Sequence, residues 1–314
     1  MPVIEVLAAS KLAPMYATPL AATYTLHPHD VDAAALAAAA PRIRAIAASG
    51  ESKVSAALIN SLPALELISV MGVGYDGIDV AAAKARGVVV THTPDVLNDE
   101  VADTTLGLML SVARQLPGAD RHVRAGLWPK GPLPLSRKMT GARLGLVGMG
   151  RIAKAIAQRA QAFNMSIAYT ARSAKADLPY TYFDSPAKLA AASDFLVVIT
   201  PGGAGTRKLI DASVLQALGP NGILVNVARG SVVDEAALIA ALQSGAIGGA
   251  ALDVFENEPH VPQALIDMPN VVLAPHIGSA TRETRQAMVD LALGNLAAQF
   301  AGQPLLTPVP ECRA

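Results

Sequence analysis

The chain has 314 residues with 25 basic and 25 acidic side chains, so its formal net charge at pH 7 is +0. Neutrality argues against nucleic acid or an anionic membrane as the main partner. With 52% hydrophobic residues, the chain has enough apolar surface for two domains. A single cysteine, Cys312, excludes an intrachain disulfide, and the first residues lack a signal-peptide pattern. We therefore expect a cytoplasmic protein.

Four apolar segments in the first hundred residues have the composition of buried parallel strands. They are Val3–Ala9, Ile43–Ser49, Glu66–Gly72 and Gly87–Thr93. The alanine-rich segments between them favour helices. This alternation predicts a parallel sheet with right-handed crossovers.

The pattern changes at Asn98. The segment Asp99–Gln115 has helical periodicity, and Gly126–Thr140, rich in Pro, Gly and basic residues, predicts an exposed loop or arm. A second series of strand-like segments begins at Ala142–Gly148, as a doubly wound sheet requires. The last helix, from about Thr281 to Gly302, is expected to return to the first domain and make it discontinuous, with a cleft between the two domains.

A glycine-rich turn, GMGRIA at residues 148–153, follows the first strand of the second series and opens a helix. Gly148 permits a tight turn, Gly150 lets the backbone approach a pyrophosphate, and the small Ala153 allows close helix–strand packing. The helix N-terminus offers N–H groups and a positive dipole to the anion. The motif in this context predicts a dinucleotide site.

The next strand indicates which dinucleotide is bound. An acidic residue at its end would bind a ribose 2′-hydroxyl, whereas here Ala171 is followed by Arg172 and Ser173. A guanidinium and a hydroxyl would bind a 2′-phosphate by charge-assisted hydrogen bonds. This favours NADPH, with NADH possible; the alternative is that Arg172 and Ser173 form a solvated turn.

Three side chains at or near strand ends could carry chemistry. Arg229 could bind a carboxylate and a neighbouring carbonyl, His276 could deliver a proton, and Glu258 could orient the imidazole and favour its charged form. Each has a plainer interpretation when taken alone, as a surface ion-pair partner, a structural histidine and an acidic turn residue. Asp253, at another strand end, is more suited to holding the nicotinamide amide or ribose.

The first domain offers a turn for anion binding. Gly72 and Gly74 flank Val73, so the N–H groups of Val73 and Gly74 could hold a substrate carboxylate. Asp79 is then a candidate N-cap of the following helix. A simple β–α turn is the alternative, and the two interpretations are compatible.

With these residues assembled, the chain resembles the D-isomer-specific 2-hydroxyacid dehydrogenase family over nearly its whole length. The motifs N-x-x-R-G, E-x-E-P and P-H-I-G imply catalytic roles for Arg229, Glu258 and His276. The helix around VADTTLGLML and the arm at Trp128 resemble the branch of glyoxylate, hydroxypyruvate and hydroxyphenylpyruvate reductases, whose members often favour NADPH. The family implies a homodimer formed through the cofactor domain, with the Trp128 arm as a candidate contact to the partner's site.

The predicted architecture is α/β, with two doubly wound parallel-sheet domains. A Rossmann cofactor domain, residues 98–280, is inserted into a flavodoxin-like substrate-binding domain, residues 1–97 and 281–314. No metal site is expected. Further expected cofactor contacts are Thr104, Met149, Arg151, Ile152, Thr200, Pro201, Val227, Ala228, Arg229, Asp253, His276 and Gly278.

The expected reaction is the NADPH-dependent reduction of a small 2-oxo acid to the D-2-hydroxy acid. One alternative is an NAD-linked dehydrogenase that oxidises a D-2-hydroxy acid or a phosphorylated one of the phosphoglycerate type. A further alternative is a non-catalytic protein that senses dinucleotides. The intact set of arginine, glutamate and histidine argues against this last class.

Overall fold

A computed structural model of the protein describes residues 4–313. Close contacts divide the chain into two compact units, Asn98–Ala280 and the two segments that flank it. We refer to the flanking segments together as the outer unit and to Asn98–Ala280 as the inner unit.

The outer unit contains one five-stranded sheet in which every strand pair is parallel. Its elements in the first segment are β1 Glu5–Ala8, α1 Pro14–Thr23, β2 Thr25–His27, α2 Ala33–Ala39, β3 Ile43–Ser49, α3 Ala56–Ser61, β4 Leu67–Met71, α4 Val80–Ala85 and β5 Val89–Thr91. The strand order β2-β1-β3-β4-β5 is that of flavodoxin-like sheets. Strand β4, between β3 and β5, is buried along its whole length, as its largely apolar sequence predicts.

The inner unit contains a seven-stranded parallel sheet with the order β12-β11-β10-β9-β6-β7-β8. Its elements are α5 Asn98–Arg114, α6 Leu116–Arg124, β6 Arg143–Val147, α7 Arg151–Gln161, β7 Ser166–Thr170, β8 Thr181–Phe183, α8 Pro186–Ala191, β9 Phe195–Val198, α9 Ala212–Leu218, β10 Ile223–Asn226, α10 Glu235–Ser244, β11 Gly249–Leu252, α11 Gln263–Ile266 and β12 Val271–Leu273. The order reverses between β6 and β9, which is the switch point where such sheets bind ligands.

The final long helix, α12 Arg282–Phe300, packs against β4 of the outer unit. The Ser69 hydroxyl on β4 donates a hydrogen bond to the Ala292 carbonyl oxygen, 3.1 Å away. The sequence prediction that the last helix returns to the first sheet is therefore confirmed. Within residues 4–313, no helix combines the length and the apolar character needed to cross a membrane.

The predicted α/β class and the four predicted N-terminal strands are confirmed, with Val3 outside the described residues. Two edge strands, β2 and β8, and the short helix α6 were missed. Each edge strand has only three residues, and neither is fully buried, so neither has the apolar run that identifies a strand in sequence. The predicted arm Gly126–Thr140 is irregular apart from one 3₁₀ turn at Trp128–Lys130.

Candidate active site

The glycine-rich turn lies at the carboxyl end of β6, beside the switch point of the inner sheet. Gly148 has φ +106°, a conformation that favours glycine. Its N–H donates to the Thr170 carbonyl oxygen at 2.9 Å, and a Cβ atom at Gly148 would lie 2.7 Å from the Ile199 carbonyl oxygen. The positive φ and the close backbone of Ile199 thus require glycine here.

Helix α7 begins immediately after this turn. Gly150 is its N-cap, no side chain caps the helix, and a Cβ at Gly150 would meet nothing within 4 Å. Ala153 in the first turn is fully buried, which lets the helix lie close to the sheet. An open space beside the N–H groups of a helix N-terminus fits the pyrophosphate of a dinucleotide.

The turn after β7 carries the residues expected to recognise the ribose. Arg172 and Ser173 are exposed, and the turn from Ala171 to Lys175 contains no carboxylate. The next acidic residue, Asp177, pairs with Lys154, with 3.3 Å between Oδ2 and Nζ. The turn therefore presents positive charge and the Ser173 hydroxyl, which fit a 2′-phosphate better than a bare ribose.

Arg229 lies just beyond β10, in a turn held by Asn226. The Asn226 side chain donates to the Arg229 carbonyl oxygen at 3.1 Å and accepts from the Ala228 N–H at 3.1 Å. Gly230 packs so closely on Phe255 that a Cβ would overlap the Phe255 backbone. The turn that bears Arg229 is thus held against the segment that leads to Glu258.

Glu258 and His276 form a hydrogen-bonded pair. His276 Nδ1 lies 2.7 Å from Glu258 Oε2, while Glu258 Oε1 accepts the Phe255 N–H at 2.9 Å. Burial favours the protonated form of the Glu258 carboxyl. The hydrogen bond and charge of His276, the Phe255 N–H and the charge of Arg229 outweigh that effect and hold the pKa of Glu258 below its usual value. An ionised Glu258 accepts a hydrogen bond from the Nδ1–H group and leaves Nε2 of His276 to exchange a proton with a substrate.

Asp253 holds the loop that carries His276. Its side chain is 2% exposed, and its two carboxylate oxygens accept the N–H groups of Ile277 at 2.7 Å and Gly278 at 2.8 Å. Its carbonyl oxygen accepts the His276 N–H at 2.9 Å. Burial raises the pKa of the Asp253 carboxyl, although both N–H donors oppose the shift. These contacts anchor the loop; a direct contact between Asp253 and a cofactor stays a prediction.

The other expected cofactor residues lie at the same edge of the inner sheet or face it. The Thr104 hydroxyl on α5 donates to the Gly278 carbonyl oxygen at 3.3 Å. Thr200 and Pro201 follow β9, and the Pro201 carbonyl oxygen accepts the Thr206 hydroxyl at 2.7 Å. The remaining expected contacts lie in the turns already described: Met149, Arg151, Ile152, Val227 and Ala228.

The outer unit presents the predicted anion-binding turn after β4. His92 Nδ1 lies 3.0 Å from the Val73 carbonyl oxygen; because a carbonyl only accepts, Nδ1 donates. A Cβ at Gly72 would lie 2.8 Å from the Gly50 Cα, so this turn needs glycine. The Asp79 side chain accepts the Ala82 N–H at 2.9 Å, which confirms the predicted N-cap.

Sequence reasoning missed two supporting residues, Asn226 and His92. Asn226 is a buried polar residue at the end of an apolar strand, and that position was a usable signal. His92 gave no comparable signal, because its partner is the backbone carbonyl oxygen of Val73, which lies in a different loop.

One edge of the inner sheet thus combines a dinucleotide turn, an arginine and a histidine–carboxylate pair, since β6, β10, β11 and β12 all run parallel. This chemistry is that of a nicotinamide-dependent oxidoreductase acting on a carbonyl or alcohol. Comparison with known proteins supports this class of enzyme. Residues 106–278, more than half of the chain, match the family model for the NAD binding domain of D-isomer specific 2-hydroxyacid dehydrogenases.

The chain belongs to the D-isomer specific 2-hydroxyacid dehydrogenase family. It is 48% identical over 274 residues to a hydroxyphenylpyruvate reductase of Plectranthus scutellarioides, covering 87% of this chain and 88% of that protein. It is 42% identical over 305 residues to a 2-ketogluconate reductase of Gluconobacter oxydans, covering 97% of this chain and 98% of that protein.

A solved structure is similar over almost the full length. The NADPH-dependent glyoxylate/hydroxypyruvate reductase of Sinorhizobium meliloti, in complex with NADP and malonate, superposes with a TM-score of 0.93 at 48% identity, covering 99% of each chain. The predicted family, the Rossmann cofactor domain and the class of 2-hydroxyacid oxidoreductase are therefore confirmed.

Proposed function

We propose that this protein uses NADPH to reduce a small 2-oxo acid, of the glyoxylate or hydroxypyruvate type, to the D-2-hydroxy acid. We assign cofactor binding to Asn98–Ala280 and substrate binding to the outer unit. The relatives support a reductase because the names of the plant, Gluconobacter and Sinorhizobium proteins all describe reduction of 2-oxo acids.

The observation that carries the proposal is the 2.7 Å contact between His276 Nδ1 and Glu258 Oε2. A carboxylate at Nδ1 favours imidazolium, which can give up a proton from Nε2 to a developing alkoxide. His276 then recovers its proton from water. The same pair in reverse would accept the proton of a hydroxy acid, as microscopic reversibility requires.

The remaining roles follow from charge and position. Arg229 binds the substrate carboxylate and the adjacent carbonyl oxygen, because a guanidinium offers several donors in one plane. The N–H groups of Val73 and Gly74 contribute to carboxylate binding. NADPH supplies the hydride when bound. The N-terminus of α7, at Gly150, would hold the pyrophosphate.

The cofactor preference rests on Arg172 and Ser173. Replacing Arg172 by aspartate puts a negative charge where the 2′-phosphate would lie, so we expect the NADPH-over-NADH ratio of kcat/KM to fall about 10- to 100-fold. Initial rates with both cofactors measure this ratio. A variant that keeps the wild-type preference contradicts the assignment of NADPH.

A substrate screen tests the reaction itself. Loss of reduced-nicotinamide absorbance is followed with glyoxylate, hydroxypyruvate, phenylpyruvate and 2-oxogluconate, each with NADPH and with NADH. We expect turnover with NADPH and one or more of these acids. Faster turnover with NADH than with NADPH supports the NAD-linked alternative, and an inactive protein that still binds dinucleotide supports the sensing alternative.

We also propose a cytoplasmic homodimer formed through the inner unit. Helix α6 has no buried residue, and the arm that follows exposes Trp128 at 67% and Leu135 fully. Apolar surface of this kind marks a protein–protein interface. Light scattering of the purified protein measures the oligomeric state, and a monomer at micromolar concentration contradicts the proposal.

A further inference from the structure

We propose that two tyrosines, Tyr169 and Tyr182, position the turn that recognises the 2′-phosphate and thereby set the preference for NADPH. This inference rests on the proposed function, since it concerns the turn that bears Arg172 and Ser173. Neither tyrosine is expected to touch the cofactor. Both act through the backbone of the turn.

The two hydroxyl groups hold the two ends of the turn. The Tyr169 hydroxyl accepts the Lys175 N–H at 2.6 Å, and the Tyr182 hydroxyl donates to the Ala171 carbonyl oxygen at 3.3 Å. Arg172 and Ser173 lie between these two anchored positions. The backbone of the turn is therefore fixed at both ends by side chains of the sheet.

The sheet holds both tyrosines rigidly. Tyr169 on β7 and Tyr182 on β8 are direct partners in the parallel ladder, and their ring centroids are 5.5 Å apart. Tyr169 is only 1% exposed. A buried hydroxyl needs a hydrogen-bond partner, so the Lys175 N–H and the tyrosine stabilise each other.

An exposed turn without such anchors would lose conformational entropy when it closes on a ligand. Fixing its ends before binding reduces that cost, which is the general effect of preorganisation on affinity. The benefit applies to a ligand that the turn itself holds, namely a 2′-phosphate. A dinucleotide without this phosphate gains little, because its pyrophosphate would be held at the Gly148–Gly150 turn.

The test uses the variants Tyr169→Phe and Tyr182→Phe, which remove only the hydroxyl groups. Binding is measured by calorimetry with adenosine 2′,5′-bisphosphate and with 5′-AMP, two probes that lack the nicotinamide and do not depend on turnover. We expect each variant to bind the bisphosphate about 2- to 10-fold more weakly, with little change for 5′-AMP. The ratio of kcat/KM for NADPH over NADH should fall by a similar factor.

Tyr180→Phe is the matched control. The Tyr180 hydroxyl lies 3.5 Å from Nε2 of Gln161, a residue on α7 and not on the turn. It should leave the ratio of the two affinities unchanged. A purely structural role for Tyr169 or Tyr182 would weaken both probes equally or lower only the thermal stability, and either result overturns the inference. Because Tyr182 is only half-buried, its variant remains testable should Tyr169→Phe fail to fold.

A double-mutant cycle with Arg172→Ala separates this inference from the proposed function. If the tyrosines act through Arg172, Tyr182→Phe has a smaller effect on bisphosphate affinity once Arg172 is removed. The positioning role alone is overturned if Tyr182→Phe has its full effect in the Arg172→Ala background. It is also overturned if Tyr182→Phe has no effect while Arg172→Ala weakens bisphosphate binding. An Arg172→Ala protein that binds the bisphosphate as well as the wild type overturns the NADPH assignment instead.

Discussion

The two units carry the proposed anion-binding and catalytic groups, and these groups are of different kinds. In the outer unit the turn after β4 offers backbone N–H groups at Val73 and Gly74, and its conformation is supported by His92. In the inner unit the groups are side chains, with Arg229, Glu258 and His276 on loops of one sheet edge. Side chains can titrate and transfer protons, whereas backbone amides only bind and orient. We therefore expect substitutions of Glu258 and His276 to change turnover and those behind the outer turn to change substrate affinity.

The strongest test of this contrast is His276→Ala. Loss of a general acid typically lowers the rate about 10²- to 10⁴-fold, so kcat should fall by that factor while NADPH affinity changes far less. Steady-state kinetics and cofactor titration measure the two effects. His260→Ala, at an exposed histidine of the same region, should keep wild-type kcat. Comparable losses in both variants would remove His276 from the chemistry.

Glu258→Gln should have the next largest effect, and it depends on pH. Without the carboxylate, imidazolium is less favoured, so the pH above which 2-oxo acid reduction slows should move down by about one unit or more. At neutral pH the rate should fall about 10-fold. Rate profiles from about pH 5 to 9 measure the shift. An unshifted profile, or an equal shift in the exposed Glu256→Gln control, contradicts the role of Glu258.

The same variant has a signature in stability. The pKa of Glu258 in the folded protein lies below its ordinary value of 4.5, so the ionised carboxylate stabilises the fold above that pH. The contribution is lost as pH falls through the folded-state pKa. Urea unfolding should therefore show Glu258→Gln less stable than the wild type at neutral pH, with the difference shrinking in acid. A stability difference that grows in acid would contradict the stabilising role of the ionised Glu258 carboxylate.

Asp253→Asn tests whether the loop of His276 needs an anchor. An amide has one acceptor oxygen, so its nitrogen would face the N–H of either Ile277 or Gly278, and one N–H would lose its partner. We expect a loss of about 1–3 kcal/mol in the free energy of unfolding, together with lower kcat. The exposed carboxylate Asp267 provides the control variant Asp267→Asn. Equal stability of the two variants would contradict the anchoring role.

The smallest effect is expected behind the outer turn. His92→Leu removes the donor to the Val73 carbonyl oxygen and should raise KM for the 2-oxo acid about 2- to 10-fold, with kcat and KM for NADPH nearly constant. His92→Asn should restore the wild-type KM, because its side-chain amide can donate from a position close to that of Nδ1. A change confined to kcat would place His92 in the chemistry and erase the contrast between the units.

The sequence by itself determined the chemistry of this protein and much of its fold. The apolar strand segments, the GMGRIA turn and the identities of Arg229, Glu258 and His276 are local features, and local periodicity and side-chain type are visible in one dimension. The short strands β2 and β8 were not visible, because three residues that lie outside a longer apolar run carry too little pattern to separate a strand from a loop.

Only the tertiary structure decided which groups meet. The His276–Glu258 contact joins residues 18 positions apart, and it exists because Gly230 lets the β10 turn pack on Phe255 while Asp253 holds the histidine loop. The pairing of Tyr169 with Tyr182 likewise depends on β8 lying beside β7. Strand order and close backbone approach set these contacts, and they arise from packing of the whole sheet rather than from any single segment.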